Sequence, residues 1–435
     1  MQIASALSAE QQQALVEQCR TRLMTQLPDY SASYTLTVGQ RVFLLMLLTT
    51  LLAAFVLAPQ SMFLIALTVI DLIFCVTIGF KYVLLAYHPA TPDESPPLLE
   101  DNALPVYSIL VPMYKEAEGV YHIISALKAL DYPAAKLDIK LVIEADDEDT
   151  RSAIEAIDPP SQFEVILVPA GNPRTKPKAC SYALHFCRGD LVTIYDAEDQ
   201  PEPLQLRKSA SAFAVLPEEV MCLQGRLNYF NWHENLLTRC FAIEYASLFD
   251  ISLPALQRLG IPIPLGGTSN HMRLAKLREL LDWDPYNVTE DADLGMRLAM
   301  RGYRTQMLNS VTLEEAPIGF GSWLKQRSRW IKGYMQTWLV YMRRPAQSAK
   351  AMGVKGFVGF QLMIGCPCLG FLLAPFVWTF SVIWALGWFN APYSSALFWF
   401  GIAIFLIGAL CHLHYALLVI RRWGWSDMHY AAAAY

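Results

Sequence analysis

Residues 42–57 and 62–80 are two nearly unbroken apolar runs joined only by Ala58-Pro59-Gln60-Ser61. Each approaches the length that crosses a hydrocarbon core, where a lone backbone satisfies its hydrogen bonds only as a helix, so they read as a membrane hairpin. A second apolar region covers residues 357–389, longer than one span. Gly365, Cys366-Pro367 and Pro375 interrupt it, which predicts a broken or interfacial segment followed by a crossing helix. Residues 396–420 supply another crossing. Nothing of this kind lies between the two membrane regions, so the chain must fold a polar domain there.

The short connections at 58–61 and 390–395 carry no Lys or Arg, whereas Arg41, Arg343, Arg344, Lys350, Lys355, Arg421 and Arg422 flank the other ends. The positive-inside rule then puts the N-terminus, the large middle segment and the C-terminal end in the cytoplasm. Four segments are expected: a cytoplasmic amphipathic helix region at 1–40, a transmembrane hairpin at 41–90, a large cytoplasmic domain at 91–353, and interfacial and transmembrane helices at 354–435, expected to be truncated at the C-terminus. In the first segment, Ser8 and Gln11 have capping-box spacing, and Leu15, Cys19, Leu23 and Leu27 recur every four residues. No signal peptide is read there, because the apolar core begins only after Arg41. Asp71 lies inside the second span. Helix packing is its expected role, because no second ionisable residue in that hairpin offers a relay partner. Trp384, Trp388, Tyr393 and Trp399 read as interfacial anchors.

A net charge of −5 over 435 residues gives no cationic signature, and nucleic acid is not expected as a partner. The nine cysteines are scattered, and Cys366-Pro367-Cys368 lacks the two-residue gap of zinc and redox pairs, so they read as reduced interior residues.

Between the membrane regions, residues 106–111, 139–143, 165–168 and 191–195 are short apolar runs of the kind that form buried parallel strands. Val120, Ile123, Ile124, Leu127 and Leu130 supply a helical face between the first two. This alternation predicts an α/β, doubly wound domain with its ligand site beyond the carboxyl ends of the strands.

The first strand runs into Pro112-Met113-Tyr114-Lys115-Glu116, with neither of the glycine-rich phosphate loops of dinucleotide and P-loop folds. Acid stands at the strand ends instead. The second strand ends in Glu144-Ala145-Asp146-Asp147 and the fourth in Asp196-Ala197-Glu198-Asp199. Carboxylates at a ligand face can hold a hard divalent cation, which in turn holds phosphate oxygens and offsets leaving-group charge. A helix cap or a solvated loop is the alternative for such a cluster. Downstream, Thr289-Glu290-Asp291 precedes Asp293-Leu294-Gly295, and Gln326-Arg327-Ser328-Arg329-Trp330 follows. A carboxylate such as Asp291 can take the proton of a sugar hydroxyl. An arginine fork suits phosphate oxygens and an indole face suits a pyranose, so Arg329 and Trp330 can serve donor and acceptor. A salt-bridged amphipathic helix with Trp330 at the bilayer surface is the alternative there.

In this order, between membrane segments, these motifs resemble the processive family-2 membrane glycosyltransferases that make cellulose, chitin, hyaluronan and bacterial exopolysaccharides. Gln-x-x-Arg-Trp is the specific part. The resemblance implies an A-type glycosyltransferase domain inserted between transmembrane helices and an inverting hexosyltransferase of the bacterial inner membrane. It further implies Mg²⁺ or Mn²⁺, a nucleotide-diphosphate sugar donor with UDP as the expectation, a glycan acceptor, and accessory export proteins as partners beside the bilayer. By the same resemblance, Glu144 or Asp146 contacts base and ribose, Asp196 with Glu198 or Asp199 carries the metal-diphosphate role, Asp291 is the general base, and Gln326, Arg329 and Trp330 line the diphosphate and acceptor end. The family shows Asp-x-Asp where this chain reads Asp-Ala-Glu-Asp, which leaves Glu198 and Asp199 as alternatives. Lys178, from the basic turn Gly171-Asn172-Pro173-Arg174-Thr175-Lys176-Pro177-Lys178, is a further candidate donor contact beside the diphosphate, with an ordinary solvated loop as the alternative. The segment from Gly266 to His271 and the run Gln224-Gly225-Arg226 are candidates for the acceptor side, with His271 expected to be a structural hydrogen-bonder. Transfer of one sugar to a lipid phosphate carrier, or a catalytically silent receptor, are the competing readings.

Overall fold

The computed structural model describes residues 2–3, 7–90, 95–386, 395–425 and 428–434. Its centre is a mixed nine-stranded sheet in the order β1-β4-β3-β2-β5-β8-β7-β9-β6. The strands are β1 Gln2–Ile3, β2 Tyr107–Met113, β3 Leu137–Glu144, β4 Phe163–Val168, β5 Leu191–Ile194, β6 Gln200–Pro201, β7 Val220–Tyr229, β8 Asn270–Arg273 and β9 Arg304–Glu314. The expected runs are β2 to β5, and they pair in parallel as their apolar character on both faces requires. The other half departs from a purely parallel sheet. β8 runs antiparallel to both β5 and β7, while β7 and β9 pair in parallel. This half escapes simple reading because its strands carry buried polar residues: Gln224, Asn228, Ser310 and Thr312 are almost wholly enclosed.

Within β3, Lys140 is 1% exposed, and its ammonium lies 2.9 Å from Asp138 and also bonds Glu164. Removing one partner of such a buried pair costs on the order of 3–5 kcal/mol, because the remaining charge is left without water or counter-ion.

Four described helices are long and apolar enough to cross a membrane. Val38–Leu57 begins with a capping box between Thr37 and Gln40, and Pro59–Tyr87 follows after a single linking residue. The second helix runs past Phe80 to Tyr87 and so takes in Lys81, ten positions after Asp71. Asp71 itself packs where an added Cβ on Gly401 would stand 3.6 Å from its carboxylate oxygens, in keeping with a helix-packing role. Farther on, the helix Pro345–Phe360 passes through a π turn at Gln361–Gly365 into Cys366–Ala385. The predicted interruption at Gly365 therefore appears as a bulge rather than a break, and Pro375 is accommodated inside the helix. Trp388 and Tyr393 lie outside the described residues, and so does the side chain of Trp384.

The N-terminal helix Ala9–Gln26 carries the predicted capping box at Ser8 and Gln11 and buries Val16, Cys19 and Leu23. It lies against the catalytic-side helix Lys176–Ala183, with the Gln13 amide donating to the Ala170 carbonyl at 3.3 Å. All nine cysteines are free thiols, as their spacing implied.

Candidate active site

A cavity of about 1120 Å³ opens at the carboxyl ends of β2, β3 and β5 and extends to the candidate membrane-spanning helices. Glu144, Asp196, Glu198, Glu290, Asp291, Gln326, Arg329 and Trp330 all line it. Segments nearly two hundred residues apart in sequence thus share one wall.

Asp291 stands on the first turn of the helix Glu290–Met300. The Ala292 amide donates to Asp291 Oδ1 at 2.7 Å, and an added Cβ on Gly267 would lie 3.4 Å from Oδ2, so the Gly266-Gly267 turn passes directly beside the carboxylate. Gln224 holds that turn: its side chain accepts from the Gly266 amide at 2.8 Å and donates to the Thr268 carbonyl at 3.1 Å. Gln224 therefore works from behind rather than in the cavity. His271 is wholly buried, 2.7 Å from the Tyr107 hydroxyl and 3.2 Å from Gln205 Oε1, and burial pushes its pKa down to about 3. It is a neutral structural hydrogen-bonder, as expected.

Lys176 ties the two acidic segments together. Its ammonium lies 2.5 Å from Asp196 Oδ1 and donates to the Gly267 carbonyl at 2.8 Å. Burial works against this charge, and the Asp196 and Glu290 carboxylates more than offset it, holding the ammonium above its ordinary pKa. Lys178, the lysine singled out in the sequence, does not line the cavity. It is fully buried, 2.9 Å from Glu144 and 3.1 Å from the Gly171 carbonyl. Residues two apart on a helix point about 200° from one another, so only one of the two lysines can face the site. The helix phase selects Lys176, while Lys178 steadies Glu144 from beneath.

Two other sequence candidates are similarly displaced. Asp146 is half-exposed at the rim, 2.8 Å from Arg174, and is not part of the wall. Arg174 does line the cavity; its guanidinium donates to the Tyr114 hydroxyl oxygen at 2.8 Å and lies over that ring at 5.3 Å. Asp199 is wholly buried and closes the turn, accepting from the Asp196 amide at 2.8 Å and from the Thr268 hydroxyl. Its Oδ1 has no hydrogen-bond partner among the described residues. Between the alternatives in Asp-Ala-Glu-Asp, Glu198 reaches the cavity and Asp199 does not.

Carboxyls crowd this end. Burial, and then the adjacent Asp291, raise Glu290 to about 8; burial also raises Asp291, to about 6, against the pull of the Ala292 amide and Lys176. Glu116, in the loop after β2, is lifted to about 7 by burial and then by Glu198 and Asp196, and Glu314 at the end of β9 is held well above the carboxylate range by burial and then Asp199. Sequence reading missed Glu116, Glu290 and Glu314 as wall residues. A Thr-Glu-Asp triplet and a Glu-Glu pair were visible, yet nothing local says which oxygens turn inward.

The third wall is the helix Phe320–Tyr341. Gln326, Arg329 and Trp330 fall at i, i+3 and i+4 and so share a face. Trp330 packs 5.8 Å from Phe241 and 6.0 Å from Tyr245, and the Arg327 guanidinium stacks on it at 5.0 Å while gripping Glu244 with both nitrogens at 2.8 and 2.6 Å. This helix is locked onto the start of the Asp291 helix at Gly333, where any Cβ would come within 2.4 Å of Thr289. That contact brings the indole and the aspartate into one cavity.

Three comparisons accord with this geometry. Residues 191–420 match the family model described as glycosyl transferase family group 2. YdaM of Bacillus subtilis strain 168, a probable glycosyltransferase, is 25% identical over 280 residues, covering 60% of this chain and 66% of the relative. Among solved structures, the mannosyltransferase PcManGT of Pyrobaculum calidifontis, in complex with GDP-Man and Mn²⁺, superposes with a TM-score of 0.53 at 21% identity over 84% of this chain and 97% of that one.

Proposed function

Because this chain belongs to glycosyl transferase family group 2, we propose that it is an inverting enzyme of the cytoplasmic membrane face that moves sugar from a nucleoside diphosphate onto a growing glycan and passes the product outward. The observation that carries this reading is the single cavity shared by Asp196, Asp291 and Trp330. An acid-lined strand end, a candidate base and an aromatic platform are what single-displacement sugar transfer needs within reach of one another.

In this reading Glu144, fixed by Lys178, and Arg174 with Tyr114 receive the nucleoside. Asp291 accepts the proton of the acceptor hydroxyl as that oxygen attacks the anomeric carbon and the bond to the diphosphate breaks. Its raised pKa suits the task, since a base near the operating pH accepts a proton well. Arg329 takes diphosphate oxygens through its fork and Trp330 offers its face to the acceptor sugar. Lys176, beside Asp196 on the same wall, offers its ammonium to diphosphate oxygens.

Asp196 and Glu198 offer the hard oxygen donors that Mg²⁺ or Mn²⁺ prefers. Among the described residues no group of three or more His, Cys, Asp or Glu side chains is arranged to hold an ion alone, so these two fit a cation that the donor diphosphate helps to coordinate. When bound, such an ion offsets charge on the departing diphosphate. The structurally similar mannosyltransferase, seen with GDP-Man and Mn²⁺, supports this reading.

The test is to supply the purified membrane protein with radiolabelled nucleotide sugars, with and without chelator, and to size the product. A ladder of lengths that vanishes on chelation and returns with Mg²⁺ or Mn²⁺ is expected. One glycolipid species would replace polymerisation with single addition, and chelator-resistant turnover would remove the carboxylate-metal role.

A further inference from the structure

The N-terminal helix Ala9–Gln26 lies outside residues 191–420, which match the family model, yet it stands behind one of the loops that shape the cavity. Residues 169–175, between β4 and the helix Lys176–Ala183, belong to no strand or helix, and Arg174, Thr175 and the adjoining Lys176 line the cavity. Without a ladder of its own, such a loop takes its position from the contacts it makes. At its far end Thr175 Oγ1 donates to the Pro285 carbonyl at 3.0 Å. At its near end the contacts come from the N-terminal helix. The Gln13 amide donates to the Ala170 carbonyl at 3.3 Å, and Val16 fits so closely against Gly171 that a Cβ there would stand 2.9 Å from Val16 Cγ1.

Gly171 passes this contact on. Its carbonyl accepts from Lys178 at 3.1 Å, and Lys178 in turn pairs at 2.9 Å with Glu144 in the cavity wall. Three residues along, the Arg174 guanidinium reaches Asp146 and the Tyr114 hydroxyl, each at 2.8 Å. Val16 is 1% exposed and β-branched, so in a helix it has one favoured rotamer and little room to retreat. The helix is moored elsewhere as well. The Arg22 guanidinium lies 3.4 Å from Asp282 and donates to the Arg278 carbonyl at 3.2 Å, and beyond the helix the Ala32 amide donates to Asp284 at 2.5 Å. A group added at Gly171 therefore displaces the loop rather than the helix. Gly171 is not one of the glycines with a left-handed backbone, so the valine methyl, and not chain geometry, is what demands a glycine here.

We infer that the N-terminal helix is a positioning element for the nucleoside side of the site, with Gln13 and Val16 setting the loop at Ala170-Gly171 and, through it, Arg174 and the Lys178–Glu144 pair. This rests on the glycosyl-transfer reading and adds to it a segment that touches no substrate. Its effect falls on holding the donor, because Asp291 stands on a different helix.

The full chain in phosphatidylcholine nanodiscs, titrated by calorimetry with UDP and with GDP, each with Mg²⁺, tests the inference. Gly171→Ala is expected to weaken nucleotide binding about tenfold, as a modest overpacking does, and to raise the donor KM with kcat within about twofold. In the double variant Val16→Ala/Gly171→Ala the methyl gained at one position takes the space lost at the other, and affinity should return. Gln13→Glu, an exposed change that sets a carboxylate against the Ala170 carbonyl, should weaken binding about threefold and secures the test should Gly171→Ala fold poorly. Hydrogen exchange over residues 170–178 without nucleotide should quicken in both single variants and return to normal in the double. Unchanged affinity in Gly171→Ala and Gln13→Glu overturns the inference, as does a loss that the double variant does not restore or one that falls on kcat alone. Failure of the unaltered protein to bind either nucleotide strikes instead at the glycosyl-transfer reading, while the exchange measurement still reads the contact between helix and loop.

Discussion

At the strand end of the cavity, Asp196, Glu198, Glu290 and Asp291 gather around the single ammonium of Lys176, whereas at the membrane end Lys81 meets an imidazole inside an apolar wall. Burial at the first end, and after it the crowding of neighbouring carboxylates, raises the pKa values of Glu290 and Asp291. The second sets one ammonium against a neutral imidazole among apolar side chains. The helix carrying Gln326 and Trp330 connects the two.

Removing the proposed base from the acidic end should break this comparison most severely. Asp291→Asn is expected to lower transfer by about 10²–10⁴-fold while nucleotide binding, measured by calorimetry, stays largely intact. Retained turnover would show that the crowded carboxyls serve charge alone. The same group sets a pH dependence. With its pKa raised to about 6, Asp291 is the free base above that value and protonated below it. A profile of kcat/KM should therefore be lost about tenfold per pH unit as pH falls beneath about 6, and a flat profile down to pH 4.5 would detach proton removal from this carboxyl. The smallest effect tests the link between the ends. Gly333→Ala places a Cβ against Thr289 and should cost about 1–3 kcal/mol of stability in a denaturant titration. It should also reduce activity by shifting Trp330 relative to Asp291, and an unchanged midpoint would mean the two helices are not locked there.

Much of the architecture was open to plain reading of the chain. β2 to β5 announce themselves as apolar runs bounded by polar residues, and the hairpin by its uninterrupted hydrophobicity. β7 and β9 did not, because their buried Gln224, Asn228 and Thr312 pair with partners far away in sequence and leave no local periodicity. Among the site candidates, Glu144, Asp196, Glu198, Asp291, Gln326, Arg329 and Trp330 do meet in the cavity. Lys178, Asp146 and Asp199 do not line it, since an acidic or basic cluster names several candidates and backbone direction chooses among them.

The amino-acid order determined the membrane spans, the parallel core and the sequence of acidic, aspartate and arginine-tryptophan motifs, because hydrophobic burial and helical or extended periodicity act over a few residues and are written locally. Only the tertiary structure decided that Lys176 rather than Lys178 meets Asp196, that Gly333 admits Thr289, and that Lys81 finds His412 across 331 positions of chain. Those outcomes depend on helix phase and on contacts between distant segments, which packing alone sets.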